Sequence, residues 1–225
     1  MRRRTSFVLS LAAAFAVACV GASTAQANLL NNPGFEAPLG FDFSDTSNWN
    51  GFFGGPPGTF LEAFNDTGAP AFAGAQALEL TIDGAPADDG FGNGAFVGHV
   101  QTVAGASAGD TTFSIWARNN DSDVTGAVEV RLEYFSGGGL VGTDQINLEG
   151  LLTDTYQLFT LNGAAPAGTD SINAVLALAA GAGLTVPADS SVLFDNASLT
   201  VVPEPTALCM AALAGLAMVS RRRNG

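Results

Sequence analysis

The chain has 225 residues, with eight arginines and no lysine against 21 Asp and Glu, for a formal net charge of −13. Six of the arginines lie in the two termini, so residues 28–202 hold only Arg118 and Arg131 against 20 acidic side chains, hence −18. Such a surface repels phosphate backbones and excludes nucleic-acid binding, while leaving carboxylates free for hard cations such as calcium or suiting a salty habitat. Cys19 and Cys209 both fall in the terminal segments, so the middle of the chain can form neither a disulfide nor a cysteine-based site.

The first predicted element is an export signal. Met1-Arg-Arg-Arg4 is a basic start, Phe7–Val20 an apolar helix, and Ala25-Gln-Ala27 a small-residue cleavage site; signal peptidase would leave Asn28 as the first mature residue. A lipoprotein reading of Cys19 lacks the usual Leu three residues earlier, where Ala16 stands.

Residues 28–202, roughly 175, suffice for one domain with a sizeable core. Short alternating apolar runs punctuated by Gly, Pro, Asn and Asp predict strands throughout: Gln76–Asp83, Ala95–Val103, Thr111–Arg118, Ala127–Phe135, Val141–Leu148, Thr155–Leu161, Ser171–Ala179 and Ser191–Val201. In the third of these, Phe113, Ile115 and Ala117 oppose Ser114, Trp116 and Arg118; in the fourth, Val128, Val130, Leu132 and Tyr134 oppose Glu129, Arg131 and Glu133. Ala174–Ala180 reads ambiguously as strand or helix. Ala37–Pro70, rich in Phe and Gly, reads as long loops lying over a sheet.

At the C-terminus, Val202-Pro-Glu-Pro205 precedes the apolar run Ala207–Val219, and Arg221-Arg-Arg223 follows. The run is marginal against the roughly 20 residues a bilayer core requires, and the arginines would stay cytoplasmic. These three elements in this order closely resemble the PEP-CTERM sorting signal. The resemblance implies a tail, residues 203–225, held briefly in the inner membrane and processed by an exosortase-type enzyme in a polysaccharide-making bacterium. A permanent C-terminal anchor would share the same features.

The interior also resembles a known architecture. Asn28-Leu-Leu-Asn-Asn-Pro-Gly-Phe-Glu36, Trp49, Gly74-Ala-Gln-Ala-Leu-Glu-Leu80, Gln101-Thr-Val103, Thr112-Phe-Ser-Ile-Trp-Ala-Arg118, Ala165-Pro-Ala-Gly168 and Val192-Leu-Phe-Asp-Asn-Ala-Ser-Leu199 follow the order of galactose-binding-like jelly rolls among carbohydrate-binding modules. The resemblance implies an all-β sandwich with Asn28–Glu36 as its opening strand. It also implies a structural calcium ion joining the first and last segments through Glu36 and Asp195, with carbonyls near Gly74 or Gln76 completing the shell. Calcium takes 6–8 oxygen ligands and accepts such mixed donors. Asp121-Ser-Asp-Val-Thr-Gly126 begins like an EF-hand loop, but Leu132 stands where a bidentate Glu belongs, so it reads as a hairpin loop.

Sugar binding needs exposed ring faces, and Trp116 alternates out of phase with the core positions. Arg118 and Arg131 share that outward phase and would bond hydroxyls, or pair with Glu129 and Glu133. Internal packing of Trp116 is the competing reading, and Trp49, Phe52 and Phe53 suit a binding loop and a core plug equally. Catalysis has thin support: His99 is the only histidine, no nucleophile elbow is present, and 20 acids single out no pair. The expectation is an exported non-catalytic protein that associates with extracellular polysaccharide at the cell surface. A ligand-free matrix protein is the alternative, and a polysaccharide-active enzyme the more distant one.

Overall fold

The computed structural model describes residues 27–37, 48–55, 59–66, 71–85, 94–120, 127–180 and 188–203. Both expected terminal helices and the Asp121–Gly126 loop lie outside them. Ten strands follow in chain order: β1 (Asn50–Gly54), β2 (Phe60–Asp66), β3 (Ala77–Ala85), β4 (Ala95–Ala104), β5 (Gly109–Asn119), β6 (Ala127–Ser136), β7 (Gly139–Asn147), β8 (Gln157–Ala165), β9 (Ser171–Ala180) and β10 (Ala188–Pro203). They form two five-stranded sheets, ordered β1-β4-β9-β6-β7 and β2-β3-β10-β5-β8, here called sheets A and B. Every pair with a defined register is antiparallel. The fold is an all-β jelly-roll sandwich, and Asn28–Val201 form one compact unit.

Alternation explains the layers. Leu78, Leu80 and Ile82 of β3, Phe113, Ile115 and Ala117 of β5, Val128, Val130, Leu132 and Tyr134 of β6, and Val192 and Phe194 of β10 meet in the core, each at most 1% exposed. The inward rows of both sheets interdigitate as in other face-to-face sheets. All eight strands read from the sequence are present, with ends moved by a few residues. Ala174–Ala180 is strand, the middle of sheet A. Its apolar run lacks alternation because Val175 and Ala177 are buried on the outer face while Ala174, Leu176 and Leu178 are buried on the inner one.

Two corrections concern the N-terminal third. Ala37–Pro70 is not all loop: β1 and β2 lie within it and form one edge of each sheet. Their Phe and Gly content blurs the period-2 signal, and an edge strand has only one neighbour to satisfy. The opening segment, by contrast, is not a strand. Asn32 and Phe35 have positive φ (45° and 53°), which breaks any continuous ladder. It is latched to β10 by Leu29 N–H to Leu199 O (2.9 Å) and Ala197 N–H to Pro33 O (2.8 Å). Asn28 adds both ends of its amide, to Ala197 O (2.9 Å) and Leu199 N–H (3.0 Å).

Between the sheets, opposite β1 and β2, sits a polar clasp. Tyr134 of β6 donates to Asp144 of β7 (2.8 Å) and bonds Thr111 of β5 (2.8 Å). Asp144 also accepts the Ala164 N–H of β8 (3.2 Å). A side chain at Gly163 would collide with the Asp144 carboxylate and with Tyr134, so the closeness of the clasp requires glycine there. Burial is the main reason the Tyr134 phenol is held far above its ordinary 10.0.

Candidate functional site

Three surface features are assembled by this topology. The first is the outer face of sheet A. Register places Phe52 opposite Gly98 and Gly54 opposite Phe96 across β1 and β4. Each ring tip occupies the space that a Cβ on the facing glycine would need: Phe52 Cζ lies 2.6 Å from that point on Gly98, and Phe96 Cζ 2.6 Å from that on Gly54. The rings are therefore drawn down onto the sheet, 6.3 Å apart and tilted by 38°, an arrangement in which a large aromatic covers an otherwise bare glycine. Continuing across the sheet, the rows run Phe52–Gly98–Ala177–Glu129 and Asn50–Val100–Val175–Arg131. Small side chains thus separate an aromatic side from a charged one.

On that charged side Arg131 is held by Glu129 (2.7 Å) and Glu133 (3.0 Å). Glu133 also accepts from Asn173 (3.2 Å), whose carbonyl oxygen accepts from Thr102 (2.7 Å). One fixed polar strip thus crosses β6, β9 and β4. Its net charge is negative, since two carboxylates flank one guanidinium.

The second feature is the outer face of sheet B. Trp116 and Arg118 point outward on β5, in the phase expected from the sequence, and Leu158 pairs with Trp116 from β8. Trp116 is not a bare platform. Phe72 lies flat on it, centroids 3.8 Å apart and planes within 12°, and Tyr156 meets Phe72 edge-on at 5.9 Å. Arg118 stands 5.6 Å over the Tyr156 ring. Because β5 and β6 belong to different sheets, Arg131 does not share a surface with Trp116 and Arg118, although all three alternate outward in sequence. No sequence signal announces Phe72, which comes from a non-strand segment between β2 and β3.

The third feature is an acidic pair. Glu36 and Asp195 meet around Gly34, where a Cβ would lie 3.8 Å from the Glu36 Cγ and 3.8 Å from Asp195 Oδ1. Segment 72–76 wraps both. Ala73 N–H donates to Asp195 (2.8 Å), and Ala75 and Gln76 N–H donate to Glu36 (2.9 and 3.3 Å). Gly74 has φ +74°, and a side chain there would collide with the Glu36 carboxylate. Asp195 is fully buried; desolvation pushes its pKa up, the peptide N–H bonds oppose that, and the Glu36 charge adds to the rise. The resemblance to galactose-binding-like jelly rolls had named these two residues together. What Gln76 presents to Glu36 is its N–H, whereas the expectation named carbonyls near Gly74 or Gln76.

The donor chemistry fits a hard cation. Two carboxylates, Asp195 buried and Glu36 exposed, are held by one short segment, and the only Arg or Lys among the described residues, Arg118 and Arg131, are engaged elsewhere. No third His, Cys, Asp or Glu joins the pair among the described residues, so an ion there would take carbonyls and water as well.

Trp49 is a core plug, 1% exposed and 5.2 Å from the Phe35 ring. His99 faces the interior at 1% exposure, with Nδ1 3.1 Å from Trp49 O, which removes the one histidine from any surface reaction.

No family model and no curated protein matches the chain. Among solved structures it is similar to the enzymatically active domain of bacteriophage CBA120 tailspike protein 4, with TM-score 0.54, 14% identity, and 78% of this chain and 21% of that one covered. It is similar too to a structure reported under the promiscuous specificity of carbohydrate-binding modules from the β-sandwich superfamily, with TM-score 0.52, 12% identity, and coverage of 79% and 63%. A CBM4 structure aligns at TM-score 0.49 and 16% identity, over 77% of this chain and 99% of that one. The chain spans about a fifth of the tailspike domain and under two thirds of the promiscuous module's chain. At these identities the likeness is one of fold: this chain is a β-sandwich of the kind found in carbohydrate-binding modules.

Proposed function

We propose that this chain is an exported, non-catalytic β-sandwich that associates with extracellular polysaccharide through the outer face of sheet A. The observation that carries the reading is the pair Phe52 and Phe96, each lying over a glycine on the facing strand, beside a polar strip that includes Arg131. Ring faces laid along a sheet suit the apolar faces of sugar rings, and Asn173, Thr102 and Glu133 offer hydroxyl partners alongside. The shared fold supports the same reading without establishing it. The basic–apolar N-terminus and the Pro-Glu-Pro, apolar and triple-arginine tail support export by signal peptidase, transient hold in the inner membrane and release by an exosortase-type enzyme.

Calcium belongs to the proposal as a structural ion held by Glu36 and Asp195. When bound it would supply positive charge to this anionic pair and clamp the opening segment to β10. The chain's own contribution is the fixed placement of the two carboxylates by the N–H groups of Ala73, Ala75, Gln76 and Asn196.

The test is titration of the purified chain with neutral oligosaccharides such as xylohexaose, with and without calcium, alongside thermal unfolding. Binding that falls about tenfold in Phe96→Ala, and a calcium-dependent rise in Tm that disappears in Asp195→Asn, are the expected results. If no polysaccharide binds, the chain is better read as a matrix protein without a ligand. If calcium leaves Tm unchanged, the clamp is wrong.

A further inference from the structure

The two arginines of the sandwich stand in opposite electrostatic conditions. Arg131 has a carboxylate on either side. Among the described residues Arg118 has none: its Nη1 donates to the backbone carbonyl of Asp154 (3.1 Å), and its Nη2 makes a long contact with the amide oxygen of Asn120 (3.4 Å). Its Nε–H, like that of Arg131, is shielded from solvent and makes no hydrogen bond among the described residues. A guanidinium has five donors in a planar fork matched to carboxylates, so Arg118 keeps spare N–H groups on both terminal nitrogens and its full charge. Arg131 pairs with two acidic side chains and Arg118 with none among the described residues, a difference that needs a cause. The surroundings are equally specific. The guanidinium lies over Tyr156, and Tyr156 abuts Phe72, which is stacked on Trp116 yet still 39% exposed. Leu158, 52% exposed, extends the apolar surface beside Trp116.

We infer that this patch is a second binding site, on the outer face of sheet B, for a uronic-acid unit of an acidic polysaccharide. The planar carboxylate takes the free donors of Arg118 in a charge-assisted contact, and the sugar ring lies against Phe72 and Tyr156. Free phosphate would use the charge but not the rings. A neutral sugar would use the rings and leave the charge without a partner. Only the acidic sugar satisfies both, and the charge contrast with Arg131 makes the other face a poor place for it. The inference rests on the polysaccharide reading above, but it names a different face and a different class of sugar.

The test compares trigalacturonate with its methyl ester, which keeps the rings and removes the charge, titrated into the purified full-length chain near 0.15 M salt. At that ionic strength the Debye length is about 8 Å, so the net negative charge of the sandwich is largely screened beyond the site. The acid is expected to bind at least about tenfold more tightly than the ester. That preference should vanish in Arg118→Gln, weaken in Arg118→Lys, which keeps the charge but loses the fork, and persist in Arg131→Gln. Thermal unfolding of each variant separates lost binding from lost fold, and Arg118→Lys decides the matter if Arg118→Gln unfolds. Equal binding of acid and ester, or a preference that survives Arg118→Gln in a folded protein, overturns the inference. If xylohexaose binds in a Phe96-dependent way while trigalacturonate does not bind, the second site alone fails. If no oligosaccharide of either kind binds, the polysaccharide reading falls, and this site with it.

Discussion

The outer faces of the two sheets carry one arginine each, on adjacent strands in sequence and in the same outward phase, yet the two side chains end in different chemistry. On β6 the residues two before and two after Arg131 are Glu129 and Glu133, which the pleat puts on its own face and which hold it at 2.7 and 3.0 Å. On β5 the residue two before Arg118 is Trp116, and the one two after it is Asn120; an aromatic stack takes the place of acids. Sheet A therefore presents a net-negative, hydroxyl-seeking strip, its guanidinium taken up by acids, beside aromatic rings drawn down onto glycines. Sheet B presents a guanidinium without an acid partner among the described residues, at the edge of a raised aromatic pile. A shared alternation phase says only that a side chain points outward; its i±2 neighbours and the segment covering it decide what it can bind.

The comparison can be broken most severely at Gly98. A Cβ there would collide with the Leu176 carbonyl oxygen and with Phe52, so Gly98→Val forces either the β4–β9 ladder or the ring to move. Overpacking against backbone costs about 3 kcal/mol, which for a domain of this size lowers Tm by roughly 6–12 °C. Sugar binding on sheet A should be lost, while acid binding on sheet B persists in whatever fraction remains folded. Unchanged melting would mean that Phe52 is not seated on Gly98.

A change in the clasp between the sheets should move both faces together. Tyr134→Phe leaves Asp144 and Thr111 without their shared partner and is expected to cost about 1–2 kcal/mol. Its pH dependence gives a sharper reading. Because the folded pKa of Tyr134 is raised above 10.0, its contribution is complete below pH 10 and is lost as pH climbs through the folded value. Urea unfolding of the native chain should therefore show a stability loss above pH 10 that is absent in Tyr134→Phe. A parallel loss in both proteins would assign it to other groups.

The smallest effect on stability and the most direct test of the contrast is Glu129→Gln with Glu133→Gln. These ion pairs are partly exposed, 22–26%, and their removal should change stability by less than about 1 kcal/mol. It would leave Arg131 without an acid partner, as Arg118 now is. Titration with trigalacturonate should then show a second acid-preferring site, on sheet A; an unchanged stoichiometry would mean that the aromatic pile, and not the charge state of the arginine, makes the site.

How much was legible follows from what each signal measures. Strands with one clean inward face, such as β5 and β6, were readable because alternation reports half-burial directly. β1 and β2 were not, because Gly and Phe at an edge carry no such alternation, and the seating of Phe52 and Phe96 was lost with them. Glu36 and Asp195 were joined through the order of segments in a similar architecture, since no local pattern links positions so far apart. Phe72 was invisible: it sits in a short irregular segment whose position is fixed by N–H bonds to those two carboxylates.

By itself the sequence determined that residues 28–202 form an all-β, strongly acidic, cysteine-free domain, which residues face inward along most strands, and that Arg131 lies within reach of two glutamates. These are local properties, set by side-chain period, composition and i±2 spacing. Only the tertiary structure decided that β5 and β6 belong to opposite sheets, so that the two arginines serve separate surfaces, that glycines on facing strands receive Phe52 and Phe96, and that Phe72 covers Trp116. Each of these depends on strand order and cross-strand register, and those are settled by the packing of the whole sandwich, where residues far apart in the chain compete for the same space.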